Sequence, residues 1–339
     1  MSQENFNYGG QAVIEGVMMR GSRGLSVAVR NPEQEIIIHT EPLNQRIYGG
    51  SLARIPFLRG LLLLWDALGL GTKALLFSAN VAMEEEEEAV ENPASVFDGP
   101  VQTGTLLLSL GMAVGLFMLL PAALADFLPR GLFALGLVDI RESALNAVTF
   151  SLVTNLIEGV MRLTLVVGYI WAIGLIPDIR RVYGYHGAEH KTINAYEAGA
   201  DLTPASVARF PLEHPRCGTA FLLTVVLVSI LFFSVLTTFA PFLLQLGWRV
   251  LSRLVFLPLV AGIAYEFIRF TARFQHVTLI RWLTVPNLAL QRLTTREPDA
   301  QMLEVAIAAF NEVMALERMS EGVTQPAGAT ATVTEPTTL

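Results

Sequence analysis

The chain is 339 residues long, 53% hydrophobic and only 16% charged, with a formal net charge of −7. That length allows one large or two modest domains, and the composition lies on the membrane side of ordinary soluble usage. The acidic balance, with basic residues only where membrane topology would put them, argues against a nucleic-acid partner.

The first residues are polar and carry no basic stretch leading into an apolar run, so no cleaved signal peptide is expected. Residues 1–50 read as a small β-rich segment. Between Tyr8 and Leu43, apolar and polar residues alternate in runs from Gln11 to Met18, Leu25 to Val29 and Glu35 to His39, broken by Gly21, Gly24, Asn31 and Pro32. That pattern predicts two or three short antiparallel strands. Within 51–82, residues 57–80 predict an apolar helix interrupted by Asp66 and Lys73, lying on the membrane or against a bundle rather than crossing it. Residues 83–103, with the acidic run Glu84 to Glu88 followed by Pro93 and Pro100, read as a linker.

Membrane spans come next. Residues 104–125 hold no charge and are long enough to cross roughly 30 Å of hydrocarbon. Residues 149–176 are equally apolar except for Glu158 and Arg162, which share a helix face and either mark a polar cavity or tie helices together as an ion pair. Residues 218–240 carry no charge and end at Pro241. Residues 250–268, with Arg253 near one end and Glu266 near the other, span, re-enter or pack as a buried helix, and are taken as the last span. The expected fold is therefore mainly α: a polytopic membrane helix bundle of about four spans, placed at 104–176 and 218–268. Helices over 269–318 follow, with helical spacing of Met302, Val305, Ala309, Val313 and Leu316. Residues 319–339 form a Thr-, Ala- and Pro-rich tail that cannot build a core.

Orientation follows from the basic residues. Arg180, Arg181, Lys191, Arg209 and Arg216 lie in the loop 177–217, and Arg269, Arg273 and Arg281 follow the last span, whereas the loop between the first two spans has only Arg130 and Arg141. The positive-inside tendency puts that loop, the β-rich segment and both termini in the cytoplasm of a multi-pass protein of the cell membrane. Cys217, the only cysteine, then faces a reducing compartment and has no disulfide partner in the chain.

The chemistry concentrates in 177–217. His186 and His190 are four apart, a spacing that lets two imidazoles on one helix face grip a single ion, with Glu189 beside them in the order His-x-x-Glu-His. His214 and Cys217 add an imidazole and a thiol three residues apart. Three of the five histidines thus fall between 186 and 217 with the only cysteine. An imidazole and thiolate set favours Zn²⁺ among divalent ions. In the plainer reading these histidines bond backbone carbonyls and Cys217 caps the third span as a small buried residue. A nucleophilic pair of Cys217 and His214 is a further reading, against which Pro215 stiffens the connection and no orienting acid is evident. Glu197 lies on the face of His190 but about 10 Å along the helix, so it can join a larger site without sharing the ion.

Three motifs carry a resemblance. The run from Gly9 through Glu15 and Arg20 to Gly21, the run Tyr185 to Lys191 followed by Glu197, and the run His214 to Thr219 together resemble the uncharacterised bacterial membrane family typified by YqhQ, over roughly Tyr8 to Leu293. The acidic run at Glu84 and the Thr-rich tail look particular to this chain. The resemblance implies a membrane protein described only as a predicted metal-dependent enzyme, without an established substrate. It also directs attention to Glu15, as acid, base or further ligand, and to Arg20, which can hold an anionic group. In the alternative, the paired glycines make a tight turn and Glu15 caps it.

Three functions follow. The first is a membrane-embedded, metal-dependent hydrolase with His186 and His190 as ligands, His214 or Cys217 completing the shell, and Glu189 activating water, with Glu15 and Glu197 as further catalytic candidates. The second is a membrane scaffold or assembly factor with a closed structural zinc site. A transporter using Glu158 and Arg162 is the third, and the lack of broken helices or repeats speaks against it. The expected partner is the lipid bilayer, and a homo-oligomer is left open.

Overall fold

The structure, a computed structural model, describes residues 8–43, 55–65, 69–82, 100–125, 127, 144–215, 217–239, 246–274 and 276–322. Outside these lie the acidic run at Glu84, the basic residues Arg130, Arg141 and Arg216, and the tail beyond 322.

Alternation in the N-terminal segment produces four antiparallel strands in sequential order, β1 (Gly9–Val13), β2 (Gly16–Arg20), β3 (Gly24–Arg30) and β4 (Ile36–Pro42). The run from Gln11 to Met18 is one strand too few in the sequence reading, because it turns back on itself at Ile14 and Glu15, bringing Val13 opposite Gly16. Period-two alternation then sorts the side chains between two faces. Val13, Met18, Leu25, Val27 and Val29 point to one side and Val17, Met19 and Ala28 to the other.

Each face is covered. The expected helix over 57–80 divides into α1 (Leu58–Trp65) and α2 (Gly71–Ala82). Ala74, Phe77 and Val81 of α2 pack on the Val13 face of the sheet, and Lys73 turns outward to within 3.6 Å of Glu41. So α2 lies on the sheet, while α1 lies against the bundle, where Arg59 pairs with Glu266. The opposite face of the sheet receives two long helices, α5 (Pro177–Glu197) and, at the C-terminal end of the chain, α10 (Ala300–Gly322). Tyr185, Ala188 and Ile193 of α5 and Val305, Ala309, Phe310 and Val313 of α10 close this core with Val17 and Met19.

Four other helices among the described residues are apolar. They are α3 (Pro100–Val114, continued by a π turn over Gly115–Leu119), α4 (Ala144–Ile173), α7 (Gly218–Phe239) and α8 (Leu246–Arg273). Among the described residues, three stretches are long and apolar enough to cross a membrane, Leu107–Ala125, Thr154–Ile173 and Gly247–Arg273, with a shorter apolar stretch, Phe221–Thr237, inside α7. Glu158 is tied inside this bundle: Arg162 donates to it at 2.8 Å and Arg253 grips it with two nitrogens at 3.0 and 3.2 Å. The space between Asn155, Glu158, Arg162 and Arg253 is about 10 Å³, room for one water rather than a solute. Two further helices complete the chain order, the short α6 (Pro204–Val207) and α9 (Thr278–Thr294).

Candidate metal centre

Helix α5 starts at Pro177, where a proline at the first position needs no N–H partner, and runs unbroken through the central motif. His186, Gly187, Glu189, His190 and Lys191 therefore keep strict helical spacing, and neighbouring chain segments dock on them.

The loop between α6 and α7 is fastened to α5 by its backbone carbonyls. Lys191 donates to the Ala208 carbonyl at 2.7 Å, Asn194 to that of Pro211 at 2.9 Å, and His190 Nδ1 to that of Leu212 at 2.5 Å. The following turn is clamped from α9: Gln291, fully buried, accepts the His214 N–H at 2.9 Å and donates to the His214 carbonyl at 2.8 Å. That clamp sets where Cys217 arrives, since its N–H bonds back to the His214 carbonyl at 3.3 Å.

The result is a three-residue cluster. The ligand atoms of His186, His190 and Cys217 all lie within 4.8 Å of one another. His186 donates its Nδ1 proton to the Thr294 carbonyl at 2.8 Å and presents Nε2 to Cys217 Sγ at 3.2 Å. His190, with Nδ1 committed to Leu212, leaves a buried Nε2 with no hydrogen-bond partner. A backbone carbonyl on Nδ1 fixes the tautomer with a lone pair on Nε2, which is the usual arrangement of imidazoles that ligate a metal. An unpartnered buried polar atom otherwise costs about 1–3 kcal/mol. Around Sγ, the Thr219 hydroxyl at 3.1 Å and its N–H at 3.4 Å supply the donors that stabilise a thiolate. Two imidazoles and a thiol brought this close form a donor set that could hold a divalent ion such as Zn²⁺.

The other expected site residues take different places. His214 is buried but stays out of the cluster, with its Nε2 3.8 Å from Glu197 and its ring 5.7 Å from that of His190. Glu197, half-exposed, lies outside the cluster against His214. Glu189 turns toward the sheet and lies over β1, where it accepts from the Gly10 N–H. A Cβ on Gly10 would sit 2.9 Å from the Glu189 carboxyl carbon, so the glycine permits this approach. Burial pushes the Glu189 carboxyl up to about 7, opposed by the electrostatic influence of nearby His186 and by the Gly10 N–H, and its Oε2 has no hydrogen-bond partner.

Glu15 lies in the β1–β2 turn at φ 50°, beyond either glycine of the opening pair. Its carboxylate takes two bonds of 2.6 Å from Arg181 and one of 3.2 Å from the Tyr185 hydroxyl. The ion pair keeps Arg181 firmly protonated, while burial and the Glu15 charge push Tyr185 up. Glu15 and Glu189 thus attach opposite ends of β1 to the same helix, which is how the opening and central motifs meet. Arg20 ends β2 opposite Leu25.

Sequence spacing carried no signal for Gln291, the Thr294 carbonyl or Arg181. Gln291 is a neutral amide over a hundred positions from His186, and only tertiary packing brings it there.

A family model described as "Protein of unknown function (DUF1385)" matches residues 55–316. The chain is 33% identical over 325 residues to the "Uncharacterized protein YqhQ" of Bacillus subtilis (strain 168), covering 94% of this chain and 96% of that one. No solved structure matches. The family match takes in every ligand atom of the cluster and the helices that hold them, and the relative extends the likeness to the sheet: the chain belongs to the DUF1385 family.

Proposed function

We propose that the protein is a membrane-bound, zinc-dependent hydrolase whose ion is held by His186, His190 and Cys217. The observation that carries this reading is the pair of histidines whose Nδ1 atoms are spent on backbone carbonyls, so that both Nε2 atoms converge on one thiol. Three protein ligands leave a fourth position open, as catalytic rather than structural zinc sites do. Zinc bound there would supply a water acidic enough to deprotonate near neutral pH.

The chain's own residues perform the rest. Glu189, desolvated and with an unpartnered Oε2 one turn from His186, is the group suited to hold and release a proton, from its place between α5 and β1. Gly10 keeps its other oxygen in place. His214 and Glu197 form a second acid–base pair behind His190, at 3.8 Å. A cytoplasmic position for this site is supported by the basic residues of α5 and of the loop after it, which the positive-inside tendency favours there.

Metal content of the detergent-purified full chain tests the reading. About one zinc per chain is expected, lost in His186→Ala, His190→Ala and Cys217→Ala and kept in His214→Ala and Glu189→Gln. Cobalt in place of zinc should give a thiolate charge-transfer band that disappears in Cys217→Ser. Loss of the metal in His214→Ala would favour a closed four-ligand site and the scaffold reading instead. A well-folded wild-type chain without stoichiometric metal, prepared without chelator, would remove the enzyme reading altogether.

A further inference from the structure

Helix α9 has its amphipathicity inside out. Its buried face is largely polar, with Thr284, Asn287, Gln291 and Thr294 recurring at helical spacing beside Ile280 and Leu290, and with Gln291 at 0% exposure. Its outer face is apolar: Leu279, Trp282, Leu283 and Val285 are exposed, Leu279 at 69% and Trp282 at 72%. The next helix, α10, has the opposite arrangement, burying Val305, Ala306, Phe310 and Val313 and exposing Gln301, Glu304 and Asn311. A helix that hides its amides and shows tryptophan and leucine is stable where its surroundings are hydrocarbon, whereas α10 has the pattern suited to water.

Position supports the same partner. Leu290 packs with Val166 and Ile170 from the last turns of α4 and with Leu223 from the start of α7, and Asn287 bonds Thr224 at 3.3 Å, so α9 lies across one end of the bundle. Phe267 and Phe270, exposed near the end of α8, carry the apolar surface of a candidate span toward it. Arg269, Arg273 and Arg281, all exposed, flank its beginning. Arginines beside an apolar face with a tryptophan suit an anionic leaflet.

We infer that α9 lies in the plane of the membrane, with Leu279, Trp282, Leu283 and Val285 among the acyl chains of one leaflet. It is about 25 Å long, enough to seat that face without crossing. Because α9 also supplies the Gln291 clamp and the Thr294 carbonyl, the His/Cys cluster stands at the lipid–water boundary, which passes between α9 and α10. This seating does not depend on whether the cluster holds a metal.

Tryptophan fluorescence of the full chain in proteoliposomes tests it, with Trp282 read in two ways: alone, after Trp65, Trp171 and Trp248 are changed to Phe, and by difference between wild type and the single variant Trp282→Phe. The difference measurement stands even where the triple variant fails to fold. The expected Trp282 signal has short-wavelength emission, is quenched by phosphatidylcholine brominated on its acyl chains and is indifferent to aqueous iodide. Long-wavelength emission quenched by iodide would put the face in water and overturn the inference. A signal insensitive to both quenchers would mean that protein, a second copy or another partner, covers α9, and would overturn it equally.

Discussion

Glu15 occupies the left-handed backbone region at φ 50°, in which a side chain costs about 1–2 kcal/mol relative to glycine. Its side chain bonds Arg181 and Tyr185, but Arg181 is half-exposed, and pairs of that kind contribute roughly 0–1 kcal/mol. The ion pair by itself does not offset the strain. Replacing Glu15 by Gly and by Ala separates the two effects: both lose the carboxylate, and only Ala keeps the strain. Glu15→Ala should be the less stable variant by about 1 kcal/mol in thermal unfolding, even after the greater freedom of glycine in the unfolded chain is allowed for. Equal stability of the two would show that the turn stores no strain. A glutamate kept where glycine would be easier to accommodate has its use in what the carboxylate holds, the register of β1 on α5 that brings the Gly10 N–H to Glu189.

At the level of the element, α5 owes its role to how closely its neighbours approach. A Cβ on Gly187 would collide with the Arg296 carbonyl and lie 2.8 Å from a methyl of Leu212, so both the segment after α9 and the loop carrying His214 lean on this one position. Gly187→Ala should raise intrinsic helix propensity yet destabilise the protein by about 1–3 kcal/mol, because backbone on the facing segment cannot yield as a flexible side chain does. Zinc affinity, measured by competition with a chelator, should fall with it, since Leu212 and Thr294 orient the two histidines. An alanine variant with unchanged melting and unchanged affinity would show that the two segments move together without cost. Spacing alone made the His186–His190 pair legible, because four residues on a helix fix a shared face. Cys217 was legible by type and proximity. That Cys217 and not His214 comes within reach of both histidines was not, because the placement depends on the Gln291 clamp, and a lone amide on α9 leaves no periodic mark in the sequence. The β1–β2 turn was hidden for a related reason: it carries Ile14 and Glu15 where turn chemistry favours glycine or asparagine, so the run looked continuous.

For the whole molecule, the bundle is organised around one acid. Glu158 on α4 is bonded by Arg162 of its own helix and by Arg253 of α8; Arg253 also bonds Asn155, which donates to Thr237 of α7 at 2.7 Å. Arg249 lies 4.0 Å from the same carboxylate and donates to the Ala122 carbonyl after α3. The apolar helices α3, α4, α7 and α8 thus meet around a single carboxylate, and the consequence of breaking the network depends on which member is removed. Arg253→Met leaves Glu158 paired with Arg162 and puts a flexible apolar chain against Phe233, over whose ring the guanidinium now lies at 4.0 Å. Glu158→Gln leaves Arg162 and Arg253 facing each other with no acid between them. Removing one partner of a buried pair costs about 3–5 kcal/mol where the survivor is uncompensated, so Glu158→Gln should fall in that range and Arg253→Met well below it. Thermal unfolding in detergent, followed by the loss of helical circular dichroism, reads the order directly. If Arg253→Met proved the more damaging, the contact with Phe233 and Asn155 would outweigh the charge pairing, and the bundle would be held by packing around the guanidinium rather than by its one carboxylate.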